Sequence, residues 1–246
     1  MKGLNILISV INILFSKNGG LKYLSSNTRS IASFGILEKC NTIVPDLKSI
    51  IDVGANIGQF GVACSKFYPN AQIYCFEPVP ETFEKLKSNT EGTKNIKVYH
   101  SALGNADGTI DFFQNEHSHA SSALEVSKEQ KEAIPETATY KKISVQVEKL
   151  DNFIFSKKLE EPIFLKLDVQ GFEKQVLLGA DLFLNSVDYL LLEMSFVPMY
   201  ENEPLFDEMH DYIRNKGFKL ISPVGVLPTN SNQILQMDML YQRIKI

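Results

Sequence analysis

The chain has no tryptophan, only three cysteines and four histidines, and no basic tract beyond adjacent lysine pairs. With a formal net charge of -4 and no such tract, it lacks the electrostatic grip on phosphates that a long nucleic acid requires, so no nucleic-acid partner is expected. Cys40, Cys64 and Cys75 have neither metal-ligand spacing nor the even number of a disulfide framework. Three small buried hydrophobes in a reducing cytoplasm fit them best. Long apolar runs are also missing: nothing reaches the roughly 20 residues with which a helix spans a bilayer. The nearest approach, Leu4 to Phe15, follows Lys2 and is interrupted by Asn5 and Asn12. A cationic residue before an apolar run is similar to the start of a signal peptide, but Ser16-Lys-Asn-Gly-Gly20 lacks the small-residue cleavage pattern. This segment is read as a helix docking on the domain or on a partner, with peripheral membrane contact as the alternative.

What remains is ordinary globular material: 246 residues, 44% hydrophobic and 22% charged, enough for one α/β domain with an N-terminal extension. Residues 1–48 are predicted to be helical, with Gly19-Gly20 ending the first helix and Asn27 or Thr28 capping a second over about 27–40. From Ser49 the texture changes. Short β-rich runs (Ser49 to Gly54, Gln72 to Phe76, Ile96 to His100, Ile163 to Asp168, Tyr189 to Glu193) alternate with helical patterns, the signature of a parallel sheet with crossover helices. The turn signal Asn105-Ala-Asp-Gly108 before Thr109 to Phe113 predicts an antiparallel strand pair grafted onto that sheet. Residues 114–142 form a polar insertion of the kind that serves a site or is mobile, and are a candidate lid over the acceptor. Phe218 to Ile221 and Ile234 to Arg243 read as the last strands, and no internal repeat is visible. The expected architecture is a Rossmann-like α/β domain over residues 49–246, mostly parallel with an antiparallel C-terminal strand.

Asp52-Val-Gly-Ala-Asn-Ile-Gly58 lies where the first strand gives way to the first helix, the place where open α/β sheets bind ligands. Gly54 and Gly58 allow a tight turn and close backbone approach. Asn56 and Gln59 replace the second and third glycines of the dinucleotide fingerprint, which argues against a pyrophosphate ligand and a nicotinamide dehydrogenase. An acid at the strand end, Asp52, suits a cationic amino-acid ligand, and amides from Asn56 to Gln59 suit its carboxylate. Glu77, followed by Pro78, ends the second strand about 25 residues later, where a carboxylate accepts from both ribose hydroxyls. Ser101-Ala-Leu103 follows the third strand and is placed beside an adenine.

Together with Phe76-Glu-Pro78, Ala102-Leu-Gly-Asn105, Leu150-Asp151 and Lys166-Leu-Asp-Val-Gln-Gly-Phe-Glu173, this loop resembles the FkbM family of O-methyltransferases from about Ile50 to the C-terminus. The Lys-x-Asp-Val-Gln-Gly-x-Glu segment is the more family-specific part. The resemblance implies a methyltransferase of the Rossmann-like class using S-adenosylmethionine on a hydroxyl of a sugar, glycan or secondary metabolite. Its donor positions are Asp52, Gly54, Asn56, Gly58, Glu77 and Ser101, to which the loop and strand ends add Ala55, Gln59, Pro78 and Ala102.

A hydroxyl acceptor has to lose a proton, so a carboxylate or histidine near the methyl donor is expected. Lys166 and Asp168 alternate onto one face of a strand, with Asp168 at its C-terminal end. Asp168 is therefore read as orienting the donor or accepting the proton, with Glu173, itself a catalytic candidate, and Lys166 shaping its surroundings. His117 and His119, ahead of Ser121-Ser122, offer a second base or a sugar contact, and His119 is preferred. Glu193 ends another buried strand and faces either the acceptor or a structural partner. Spacing alone does not make Asp168, Glu173 and Glu193 converge on a cation, and no metal is expected. An N-methyltransferase and a non-catalytic S-adenosylmethionine-binding protein are the competing readings, and the acceptor and the oligomeric state are not legible.

Overall fold

The computed structural model describes residues 2–116, 118–155, 157–228 and 233–245. Helices α1 (Lys2–Leu14), α2 (Gly20–Leu24) and α3 (Ile31–Ile43) lead into β1 (Ser49–Val53), α4 (Gln59–Phe67), β2 (Gln72–Phe76), α5 (Pro80–Thr90) and β3 (Ile96–Tyr99). There follow β4 (Ala102–Leu103), β5 (Gly108–Asn115), α6 (Lys128–Ala133), β6 (Tyr140–Glu148) and α7 (Leu150–Phe155). The chain continues through β7 (Ile163–Leu167), α8 (Glu173–Leu178), β8 (Tyr189–Ser195), α9 (Phe206–Asn215), β9 (Phe218–Pro228) and β10 (Ile234–Arg243).

Seven strands make the central sheet in the order β3-β2-β1-β7-β8-β10-β9. All neighbours are parallel except β10, which runs antiparallel to β8 and β9. The central strands are covered on both faces, which is why Ser49-Ile-Ile-Asp-Val53 and Ile163-Phe-Leu-Lys-Leu167 are buried throughout. Alternation along them divides the core in two. Ile51, Val53, Leu165 and Leu167 pack with Val176 and Leu177 of α8, while Ile50, Phe164 and Leu191 pack with α3 and α4. The strand order reverses at β1, with β2 and β3 laid down to one side and β7 and β8 to the other, which opens a crevice at the carboxyl ends of β1 and β7.

Two features differ from the sequence expectation. The strand after Gly108 does not extend the central sheet: β5 pairs antiparallel with β6, and β4 joins β6 in a separate three-stranded sheet. Its partner comes from beyond the polar insertion, so no local pattern reveals the pairing. That insertion is itself structured, with a 3-10 turn at Ser118–Ala120 and α6, whose cap Ser127 also donates to the Pro198 carbonyl at 2.7 Å.

The N-terminal helices share the domain's core. Phe34, Leu37 and Cys40 of α3 cluster with Phe60, Ala63 and Phe67 of α4, and all three thiols are free and buried. Gly20 opens α2 rather than marking a stop, and α3 starts later than expected. Its cap is Ser30, not Asn27 or Thr28: extended backbone at φ -146 lets the Ser30 hydroxyl accept the Ser33 N–H at 3.1 Å. Ser30→Ala should cost about 1 kcal/mol in urea unfolding and Ser30→Gly only a few tenths. An Asn27→Ala loss as large as that of Ser30→Ala would contradict this assignment.

Candidate functional site

The crevice is held together mainly by backbone. Gly54 has φ +76, and a Cβ there would lie 1.9 Å from the Asp168 carbonyl oxygen, so only glycine lets the loops after β1 and β7 meet. The Gly54 and Ala55 amides donate to the Phe76 carbonyl (3.1 and 2.9 Å), and Asp168 N–H donates to the Val53 carbonyl (3.1 Å). Asn56 adopts φ 50 and accepts the Ile57 N–H on its side-chain oxygen at 2.8 Å.

Across this loop stands Glu77. One carboxylate oxygen accepts the Asn56 N–H at 3.0 Å and the other the Val79 N–H at 2.9 Å. Burial nevertheless pushes its carboxyl up to about 7, against those two donors.

Lys166 is the buried cation of the site. Its Nζ lies 2.9 Å from Asp52 Oδ1 and 3.5 Å from Asp168 Oδ2, and it donates to the Gly54 carbonyl at 3.0 Å. Burial alone would push this ammonium down, but Asp52 and Asp168 together hold it above the ordinary lysine value.

These groups surround a cavity of about 490 Å³. Gly54, Ala55, Asn56, Gln59, Glu77 and Pro78 line one side, and Ser101 and Ala102 continue the wall. Ile110 and Phe112 of the second sheet make it apolar, and Ser118 to Ser121 of the insertion overhang it. Asp168 and Glu193 lie at the other side. Ala32 and Ser33 of α3 also reach the cavity, although no motif marks the first 48 residues.

Three residues read from sequence as touching a ligand sit elsewhere. Asp52 is fully buried and its carboxylate turns to Lys166, its in-register neighbour on β7, so it acts on the cavity only through that cation. Gly58, at φ +99, opens α4 beneath the loop without lining the cavity. Glu173 is buried and accepts the Val169 N–H at 2.9 Å, fixing the chain's exit from β7 instead of lining the cavity. His119 lines the cavity, but its ring nitrogens face the side-chain amides of Asn56 (3.4 Å) and Gln59 (3.3 Å) on the β1 side. His117 lies outside the described residues.

Sequence reasoning passed over the network behind Asp168. Gln170, at φ 58, donates from Nε2 to Asp168 Oδ1 (2.7 Å) and Glu193 Oε2 (3.0 Å) and accepts the Tyr200 hydroxyl at 2.7 Å. Ser122 of the insertion donates to the Gln170 carbonyl at 2.6 Å. Gln236 of β10 donates to the same Glu193 oxygen at 2.9 Å. Burial, followed by the charges of Asp168, Asp238 and Glu173, holds the Glu193 carboxyl well above the usual carboxylate range. The Val-Gln-Gly turn was the available signal for Gln170. Tyr200 and Gln236 carry no local signal: Gln236 arrives by the pairing of β10 with β8, and Tyr200 from the loop after β8, bridged to Val126 of the insertion.

Residues 52–220 match the family described as the methyltransferase FkbM domain. The chain belongs to the FkbM methyltransferase family. Its donor is S-adenosylmethionine. Methyltransferase 1 of Beauveria bassiana is 26% identical to this methyltransferase over 74% of the chain and 77% of that protein. The 2-O-methyltransferase NoeI of Sinorhizobium fredii is 25% identical over 63% and 66%, respectively. The hexuronic acid methyltransferase AglP of Haloferax volcanii is 29% identical over 58% of the chain and 54% of its own length. Among solved structures, a SAM-dependent methyltransferase from Aquifex aeolicus aligns at TM-score 0.46 with 11% identity, over 93% of this chain and 100% of that one.

The donor set fits the methyltransferase's ligand. The lining offers a carboxylate for a diol, the side-chain amides of Asn56 and Gln59 and an apolar wall, while the backbone amides from Gly54 to Gly58 are engaged within the protein and the lysine among the described lining residues is held by Asp52 and Asp168. A pyrophosphate would meet Glu77 with no free cation among the described lining residues. No three His, Cys, Asp or Glu side chains gather as a metal set among the described residues.

Burial raises the Glu173 carboxyl from 4.5 to about 8, so folding favours its protonated form. Its contribution to stability is complete below the unfolded value and is lost as pH rises from about 4.5 toward 8. Glu173→Gln keeps an acceptor for the Val169 N–H and should flatten that decline in urea titrations run across the window. A decline as steep as the parent's would show that Glu173 does not titrate there.

Proposed function

We propose that this methyltransferase acts on a hydroxyl of a sugar, glycan or secondary metabolite, with Asp168 as general base. The observation that carries this reading is the Asp168 carboxylate itself: 40% of its side chain is exposed at the cavity, while Gln170 and Lys166 fix its two oxygens. A carboxylate held by one partner on each oxygen and still partly exposed keeps lone pairs with which to take a proton from a hydroxyl placed in that space. Glu193, whose carboxyl burial holds well above the usual carboxylate range, lines the same space and is placed to contact another oxygen of the acceptor. The similarity to NoeI, a 2-O-methyltransferase, and to AglP, a hexuronic acid methyltransferase, supports a hydroxylated acceptor.

On the donor side, Glu77 receives the ribose hydroxyls, beside Pro78. Gly54, Ala55, Asn56 and Gln59 meet the amino-acid end, and Ser101 and Ala102 with the apolar second sheet face the adenine. Asp52 and Gly58 serve the same ligand indirectly, through Lys166 and the turn into α4. When bound, S-adenosylmethionine supplies an electrophilic methyl group on a sulfonium. His119 belongs to this half of the cavity, as a cover over Asn56 and Gln59. Residues 114–142 form the lid, tied down by Ser118 on the Asn56 side-chain oxygen (3.1 Å) and by Ser122 on Gln170. The catalytic unit extends beyond residues 49–246, because α3 contributes to the cavity. Three buried free thiols support a reducing, cytoplasmic setting. Among the described residues no helix is long and apolar enough to cross a membrane.

Incubation with S-adenosylmethionine and a panel of sugars and hydroxylated metabolites should give a product methylated on oxygen by mass spectrometry. Methyl found on nitrogen would overturn the reading. Asp168→Asn should lower kcat by about 10²- to 10⁴-fold while S-adenosylhomocysteine affinity stays within a few-fold; an unchanged kcat would remove the base.

The titration of Glu77 gives a separate test. A diol needs the carboxylate form, so S-adenosylhomocysteine affinity measured by calorimetry should rise as pH passes through about 7. Glu77→Gln should bind more weakly and lose that pH dependence. Retained dependence would assign the titration to another group.

A further inference from the structure

Helix α1 turns its apolar residues the wrong way for a helix packed on a protein. Leu7, Ile8, Ile11, Leu14 and Phe15 are all exposed, whereas Ile13 is the buried contact on the other side. At 100° per residue the five exposed positions share one stripe about 120° wide, and the Phe15 amide continues the helical turn by donating to the Ile11 carbonyl. Phe15 is 83% exposed and Leu21 of α2 is 68% exposed. Single exposed hydrophobics are commonplace; a contiguous stripe marks a surface made to be covered.

Charge identifies what covers it. Before Glu38 the sequence contains Lys2, Lys17, Lys22 and Arg29 and not one aspartate or glutamate, in a chain whose net charge is -4. Lys17, Lys22 and Arg29 are exposed. A second copy of the chain laid on this stripe would bring like charges together. A bilayer with anionic headgroups meets both demands, taking the apolar stripe into its interface and the cations onto its surface. The 13 residues of α1 reach only about 20 Å, too short to span. We propose that α1 and α2 form an in-plane docking surface for an anionic membrane. The chain binds there as a peripheral protein, reversibly and with dependence on salt.

Flotation or sedimentation of the full chain with vesicles tests this. Binding is expected to vesicles of phosphatidylcholine with roughly a quarter phosphatidylglycerol, much weaker binding to phosphatidylcholine alone, and release by salt near ~0.5 M. Ile11→Asp with Phe15→Asp should reduce the bound fraction at least about tenfold, and Lys17→Glu with Lys22→Glu should remove the preference for anionic lipid. Neither pair lies in the catalytic cavity, so S-adenosylhomocysteine binding by calorimetry should be unchanged and certifies that the variants fold. Parent protein that stays off both vesicle types overturns the proposal, as do folded variants that bind like the parent. A concentration-dependent dimer in sedimentation equilibrium that Phe15→Asp abolishes would overturn it in favour of a second copy.

Discussion

One buried ammonium organises the crevice. Lys166 sits on the central strand β7, in register with Asp52 on β1 and two residues before Asp168, so strand alternation places all three side chains on one face. An isolated charge in that position would be prohibitively costly. It is tolerated because two carboxylates and the Gly54 carbonyl surround it. The same contacts make it a mechanical link: one side holds the loop after β1, where the donor is proposed to bind, and the other holds the carboxylate proposed to act on the acceptor. The proposed donor site and base are therefore aligned by a single side chain that faces both.

The rest of the site extends this arrangement outward. On the donor side Glu77 is fixed by two backbone amides, so the end of β2 and the loop after β1 move as one unit. On the acceptor side Gln170 spans Asp168 and Glu193, and Tyr200 and Ser122 in turn fix Gln170. The polar insertion is thus bonded to both halves, through Ser118 to Asn56 and through Ser122 to Gln170. Closing it over a ligand would bear on the donor loop and the base together.

The sequence made the strand order along the chain legible, because each central strand is a short apolar run bounded by turn residues and each crossover has helical spacing. The glycine loop and Glu77 were legible for the same reason: both sit at strand ends, where chemistry is local. Partners distant in sequence were not. Nothing near Asp52 announces that its carboxylate belongs to Lys166, and a strand-end acid looks the same whether it faces a ligand or a neighbouring strand. Glu173 misled in a related way, since a helix-opening acid after a catalytic motif reads as chemistry while its work is holding the Val169 amide. Gln236 depends on β10 returning antiparallel beside β8, and the second sheet depends on β6 crossing back after the insertion. Both are global pairings without a local signature.

The most direct test of the link is a double-mutant cycle on Lys166 and Asp52, read by urea unfolding. Lys166→Met alone should cost about 3–5 kcal/mol by leaving Asp52 buried and uncompensated, and much less when introduced into Asp52→Asn. If Lys166→Met costs the same in both backgrounds, the two residues are not coupled and Lys166 does not hold the crevice together.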